Sequence, residues 1–168
     1  VTTLDDFGFQ GNTPSHPHLL DHLAIELLNN DWSIKWLHKY IVTSATYQQS
    51  SVVNSNAINI DPSNELLSYF PRTRLDAEVI RDSILQSAKL LSPKMYGPPV
   101  KPLQPVGIGA AAYGSPKWTA SIGEDRYRRS LYTYTKRTVP FAMFNTFDGP
   151  SGESCTSKRN RSNTALQA

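Results

Sequence analysis

The only cysteine of the chain, Cys155, stands just before Lys158, Arg159 and Arg161 in the segment CTSKRNRS. Cations this close favour the thiolate, which is the nucleophilic form. A catalytic thiol also needs a base, normally histidine, and His16, His18, His22 and His38 all lie in the N-terminal quarter. The commoner role of a free cysteine is that of a small buried apolar group. Asp148 and Glu153, with Glu124 and Asp125, are carboxylates of the kind that glycoside hydrolysis opposes across a scissile bond. Asp148 sits in FDGP, where a turn is the simpler role. Cys155, Asp148 and Glu153 are therefore the candidate catalytic residues.

His18 and His22 are four apart, which on a helix places both imidazoles on one face, as zinc ligands require. No third ligand of matching spacing follows, and no glutamate completes an H-E-x-x-H pattern. His16 is the candidate metal ligand, with organisation of a helix start as its simpler role. Arg126, Arg128, Arg129 and Lys136 alternate with Tyr127, Tyr132 and Tyr134, a composition shared by single-strand nucleic-acid platforms and by half-buried sheets. Tyrosines on a loop-rich surface also suit the apolar faces of sugar rings. Tyr132, Tyr134, Arg159 and Arg161 are the candidate binding residues. Arg72, Arg74, Asp76, Arg81 and Asp82 read as a structural ion-pair network at a helix start, with Glu78 in reach of Arg81 and Asp82.

The elements that must position these groups are mainly helical. Ser15 suits an N-cap with Pro17 in the first turn, and Leu19, Leu20, Leu23, Ala24, Leu27 and Leu28 recur at helical spacing up to a stop at Asn29 and Asn30. Ser33 caps a second helix, and the short link between them makes an antiparallel hairpin with Trp32 and Trp36 closing its ends. The hydroxyl- and amide-rich stretch from Thr43 to Ser51 frays or continues irregularly, and Asp61-Pro62 opens a short helical turn carrying Leu66 and Leu67. Asp76 caps a third, longer helix with a buried stripe of Val79, Ile80, Ile84, Leu85, Ala88 and Leu91. Residues 92–124 form a long Pro/Gly-rich loop, with Gly97, Gly107, Gly109 and Gly114 and with Pro93 and Pro116 at its two ends. From Arg128 to Thr138 the period becomes two, which predicts a small β element. The fold class is mainly α, in one partial domain: residues 1–91 helical, 92–124 loop, 125–168 strand and basic C-terminal segment.

Composition excludes several classes. At 168 residues with 39% apolar and 18% charged content, the chain can build a core and is no disordered polyelectrolyte. One cysteine excludes an internal disulfide, and no apolar run is long enough to span a bilayer. Acids cluster before Lys35 and bases after Arg126; with a net charge of only +3, pairing within the fold explains this better than an anionic partner. At the C-terminus Thr164 suits an N-cap, Gln167 can return a hydrogen bond to the cap N–H, and Leu166 begins an apolar face. A chain ending inside a first turn reads as an excerpt of a larger protein.

Five blocks occur in order: DDFGFQGNTPSHPHLLDHLAIELL, WSIKWLHKYIVTSATYQQSS, FPRTRLDAEVIRDSIL, DRYRRSLYTYTKRTVP and FNTFDGPSGESCTSKRNRSNTALQA. Together they resemble the bacterial domain of unknown function 1553, found in large exported proteins typical of planctomycetes. His16 falls where the family pattern has a histidine, whereas Ala165 stands where proline usually follows Asn-Thr. The resemblance implies export to the periplasm or cell surface, an accompanying uncharacterised domain, and often a c-type cytochrome module elsewhere in the polypeptide. No C-x-x-C-H signature is present, so no cofactor is expected in this chain and any haem belongs elsewhere in the parent. The expected function is that of a structural or binding module whose partners are other domains of the same polypeptide and polysaccharide, not nucleic acid. The alternative is part of a hydrolase or redox-linked enzyme whose site is completed by residues outside the chain.

Overall fold

The computed structural model describes residues 3–6, 8–108 and 118–167. It is mainly helical and divides into two compact units, Val1–Thr73 and Arg74–Ala168.

In the first unit, α1 (Pro17–Asn29) starts one residue later than Ser15 suggests. His16 is the cap residue, its ring Nδ1 lies 3.1 Å from Ser15 Oγ, and Pro17 occupies the first turn, where a missing N–H leaves no bond unmade. Asn30 ends the helix by donating both its backbone N–H and its side-chain Nδ2 to the Glu26 carbonyl. Asp31 and Trp32 then adopt left-handed backbone angles (φ 53° and 57°), which reverse the chain. Ser33 Oγ accepts from Trp36 N at 3.2 Å and starts α2 (Ile34–Val42), which packs on α1. Trp36 stacks on Tyr40 at 4.9 Å between centroids. Trp32 does not close the hairpin's end; it belongs to the turn itself and is two-thirds exposed.

The Thr43 hydroxyl bonds back to Lys39 O and ends α2, and Ser44 caps the short α3 (Ala45–Gln48). Asn54 caps α4 (Ser55–Ile60), a helix with no apolar period to announce it. Asp61 does not open a helix. Its carboxylate accepts from the N–H groups of Glu65 and Leu66, which closes a non-helical turn around Asn64.

The second unit contains α5 (Ala77–Ser87) and α6 (Ala142–Thr146). The buried face of α5 is Ala77 and Arg81, whereas Val79 and Ile84 of the expected stripe are about half exposed. Arg81 donates to Arg128 O at 2.9 Å, Ser130 Oγ at 3.1 Å and Arg126 O at 3.1 Å, and Asp82 Oδ1 accepts from Ser130 N at 2.8 Å. These contacts correct the strand expected at 128–138. Side chains of α5 take the backbone groups that a neighbouring strand would pair with. The segment forms 3₁₀ turns at Gly123–Tyr127 and Ser130–Tyr132 and, among the described residues, isolated parallel bridges of Ser92 with Arg128 and of Val100 with Thr133.

Those bridges also tie down the described part of the Pro/Gly-rich loop. Val100 exchanges backbone hydrogen bonds of 2.7 Å with Tyr132 and Tyr134, and Lys101 pairs with Ser121. Gly109, Gly114 and Pro116 lie outside the described residues. Arg128 is 1% exposed, donates to the Pro98 and Tyr96 carbonyls, and lies 3.9 Å from the Tyr132 ring centroid. Val100, Pro102 and Phe141 complete the core, with Phe144 edge-on to Phe141 at 5.1 Å.

Candidate functional site

Some of the carboxylates and cations singled out in the sequence form two anchors that hold the C-terminal segment against the rest of the second unit, whereas Glu124 and Asp125 pair with Ser92 and Lys94. Asp148 is the first anchor. Its left-handed backbone (φ 56°) forms the FDGP turn, and its oxygens accept from Ser162 N at 2.7 Å, Ser162 Oγ at 2.8 Å and the Arg74 guanidinium. The Ser162 N–H, then Arg74, then the Ser162 hydroxyl hold its carboxyl down to about 2. A carboxylate so satisfied is a poor general acid, which needs a raised pKa, and its lone pairs are already taken.

The second anchor is Arg159. Its guanidinium forms a two-pronged contact with Glu78, 2.5 Å to Oε2 and 3.1 Å to Oε1, and lies 3.8 Å from Asp76. The hydrogen bond it donates to Glu78 raises the Arg159 pKa further. Burial pushes Glu78 up, but bonds from Arg159 and from its own backbone outweigh this and leave it below the ordinary range. Glu78 therefore reaches Arg159 rather than Arg81. The Asp76 carboxylate makes no cap bond.

Two clefts flank this second anchor. The larger, about 650 Å³, has Tyr134, Phe141 and Phe144 among its apolar lining, with Asp76, Glu78 and Asp82 as its carboxylates. The smaller, about 550 Å³, is lined by Lys158, Arg161, Ser154, Thr156 and Ser157. Asp76, Pro150 and Arg159 border both.

The remaining candidates scatter. Cys155 is free and exposed, and the second unit contains no histidine to serve as its base. Glu153 is exposed beside the Ser151 hydroxyl. Tyr132 is committed to the core, its hydroxyl accepting from Tyr96 N at 2.8 Å under the Arg128 cation. Tyr134 remains more than a third exposed, with Lys101 Nζ 5.1 Å from its ring centroid. The alternating Arg/Tyr pattern is thus split, since Arg128 and Tyr132 point into the fold and Arg126 donates to Ser121 O. In the first unit His22 bonds Tyr40 at 3.0 Å and His16 contacts Ser15. Among the described residues no three His, Cys, Asp or Glu side chains are grouped as metal ligands.

Sequence reasoning missed Phe141 and Phe144 as cleft residues and Glu78 as the partner of Arg159. The aromatic pair in PFAMF was visible, but the contact of Glu78 across 81 residues had no local signal.

These features define a mainly α-helical module with an anchored basic tail and an aromatic-floored cleft. The chain belongs to the family described as protein of unknown function (DUF1553), whose model matches residues 1–168. No curated protein and no solved structure matches it. No helix among the described residues is long and apolar enough to cross a membrane.

Proposed function

We propose that the chain is a binding module of a large exported bacterial polypeptide and that its ligand is polysaccharide. The observation that carries this is the 650 Å³ cleft of the second unit, which Tyr134 and Phe144 border over the buried Phe141 together with the carboxylates Asp76 and Asp82. Aromatic rings suit the apolar faces of pyranoses, and carboxylates accept from the sugar hydroxyls. The exposed apolar side chains of α1 and α2, such as Leu19, Leu20, Leu28 and Ile34, fit burial against other domains of the same polypeptide. A c-type haem would be held elsewhere in the parent, because its attachment takes two cysteines and Cys155 is the only one here.

The test is retention on a panel of neutral and acidic polysaccharides, with soluble products measured in parallel. Retention without products is expected, and Tyr134→Ala should weaken it by about five-fold, the order of one aromatic contact. No retention across the panel would refute the reading. Released products would instead establish an enzyme and make the cleft carboxylates, by Asp76→Asn and Asp82→Asn, the first substitutions.

A further inference from the structure

Resting on that reading, we infer that the polysaccharide is acidic, with its carboxylate or sulfate groups seated on Lys158 and Arg161 in the cleft beside the aromatic one. Of the three cations of this segment, Arg159 is already neutralised by Glu78 and Asp76. Lys158 and Arg161 make no ion pair or side-chain hydrogen bond with any described residue, yet both line the same 550 Å³ cleft. Ser154, Thr156 and Ser157 line it too, and their hydroxyls can donate to an oxyanion. The single carboxylate of this cleft, Asp76, lies on the wall beside Arg159, so the two unpaired cations leave the cleft net positive.

The shared wall determines what kind of anion fits. Asp76, Pro150 and Arg159 border both clefts, so a ligand crossing that wall meets apolar rings on one side and uncompensated positive charge on the other. A sugar chain with acidic substituents presents both chemistries together. A nucleic acid strand fits less well. It needs a run of cations interleaved with free stacking rings, and here Tyr132 and Arg128 are spent on the core. The anchored neighbour also helps. Arg159 pins the backbone between Lys158 and Arg161, so fewer conformations are lost when an anion binds.

Three immobilised dextrans with one backbone isolate the acidic group: neutral, carboxymethylated and sulfated. Retention of the full chain on the acidic forms above the neutral one is expected, falling as sodium chloride rises. The stronger of the two acidic forms tells carboxylate from sulfate. Lys158→Gln with Arg161→Gln should lower acidic retention about ten-fold, the order set by two solvent-exposed ion pairs. Lys35→Gln with Lys39→Gln removes the same charge from α2 and should leave retention unchanged. Both pairs are exposed, and unchanged thermal melting checks folding. Equal losses in the two double variants would reduce the effect to net charge and overturn the inference. Equal retention on neutral and acidic dextran would overturn it while leaving polysaccharide binding intact, and retention on no dextran would overturn it also. An oligothymidylate that outcompetes sulfated dextran at Lys158 and Arg161 would assign the cleft to nucleic acid instead.

Discussion

Replacing Arg81 by methionine tests whether side chains of α5, rather than a strand partner, organise residues 126–130. Arg81 is 6% exposed, and its guanidinium donates to two carbonyls and one hydroxyl. Burial lowers its pKa, and the neighbouring Asp82 opposes this, so part of the charge's desolvation cost is carried by the fold. Methionine returns that cost and fills a similar volume, but it leaves three acceptors without a donor. At about 1 kcal/mol net per hydrogen bond, the loss is about 3 kcal/mol. For a chain of this size that lowers the melting temperature by about 6–12 °C. Circular dichroism melting gives the stability, and amide exchange locates the change. Protection should fall at Ser130, whose N–H is held by Asp82 beside Arg81. Arg81→Lys keeps the charge but cannot span three acceptors, so it should fall between the two. A melting point for Arg81→Met within about 2 °C of the parent, with unchanged exchange at residues 126–134, would refute the reasoning.

Asp148→Asn should lower the melting temperature at neutral pH. The Asp148 carboxyl titrates near 3.8 when unfolded and about 2 when folded, so its contribution is complete above about pH 4 and is lost as pH falls through about 2. The variant's stability should therefore depend less on pH across that window, as followed by melting at each pH. Some dependence should remain, because Glu78 is shifted in the same direction. Gly149→Ala should destabilise by about 1–3 kcal/mol in urea titration, since the new Cβ would meet the Phe144 backbone oxygen at 2.9 Å. Cys155 should react with N-ethylmaleimide in the folded protein, and the alkylated chain should keep its polysaccharide retention. Loss of retention on alkylation would return Cys155 to the site.

Features fixed by neighbours in sequence were legible. Ser33 caps α2, Asn30 stops α1, and Thr164 N donates to Gln167 Oε1 at 3.0 Å, because each bond closes within a turn. Features decided by distant partners were not. The period of two from Arg128 to Thr138 is genuine, but Arg81 and Asp82 reach across almost fifty residues and claim the backbone groups of Arg126, Arg128 and Ser130 at its start. The face of α5 was misplaced for the same reason. An arginine that satisfies carbonyls can occupy a buried position that hydrophobic periodicity assigns to leucine or isoleucine. Helix α4 escaped notice because its capping signal, Asn54 before Ser55, has no apolar repeat behind it.

The candidate site divides along the same line. A carboxylate in a turn and a carboxylate in an active site look alike in sequence, since both are aspartates near glycine and proline. What separates them is whether the oxygens have lone pairs to spare. Asp148 accepts from Ser162, fourteen residues downstream, and from Arg74, far upstream, so it fastens two distant segments and leaves little room for a substrate proton. Arg159 is used up in the same way by Glu78. Lys158 and Arg161 differ from Arg159 in having no ion-pair or hydrogen-bond partner among the described residues, while the neighbour already tied to Glu78 holds the backbone between them. The sequence shows three similar cations within four residues, and only the fold shows that one of them, Arg159, is tied to Glu78.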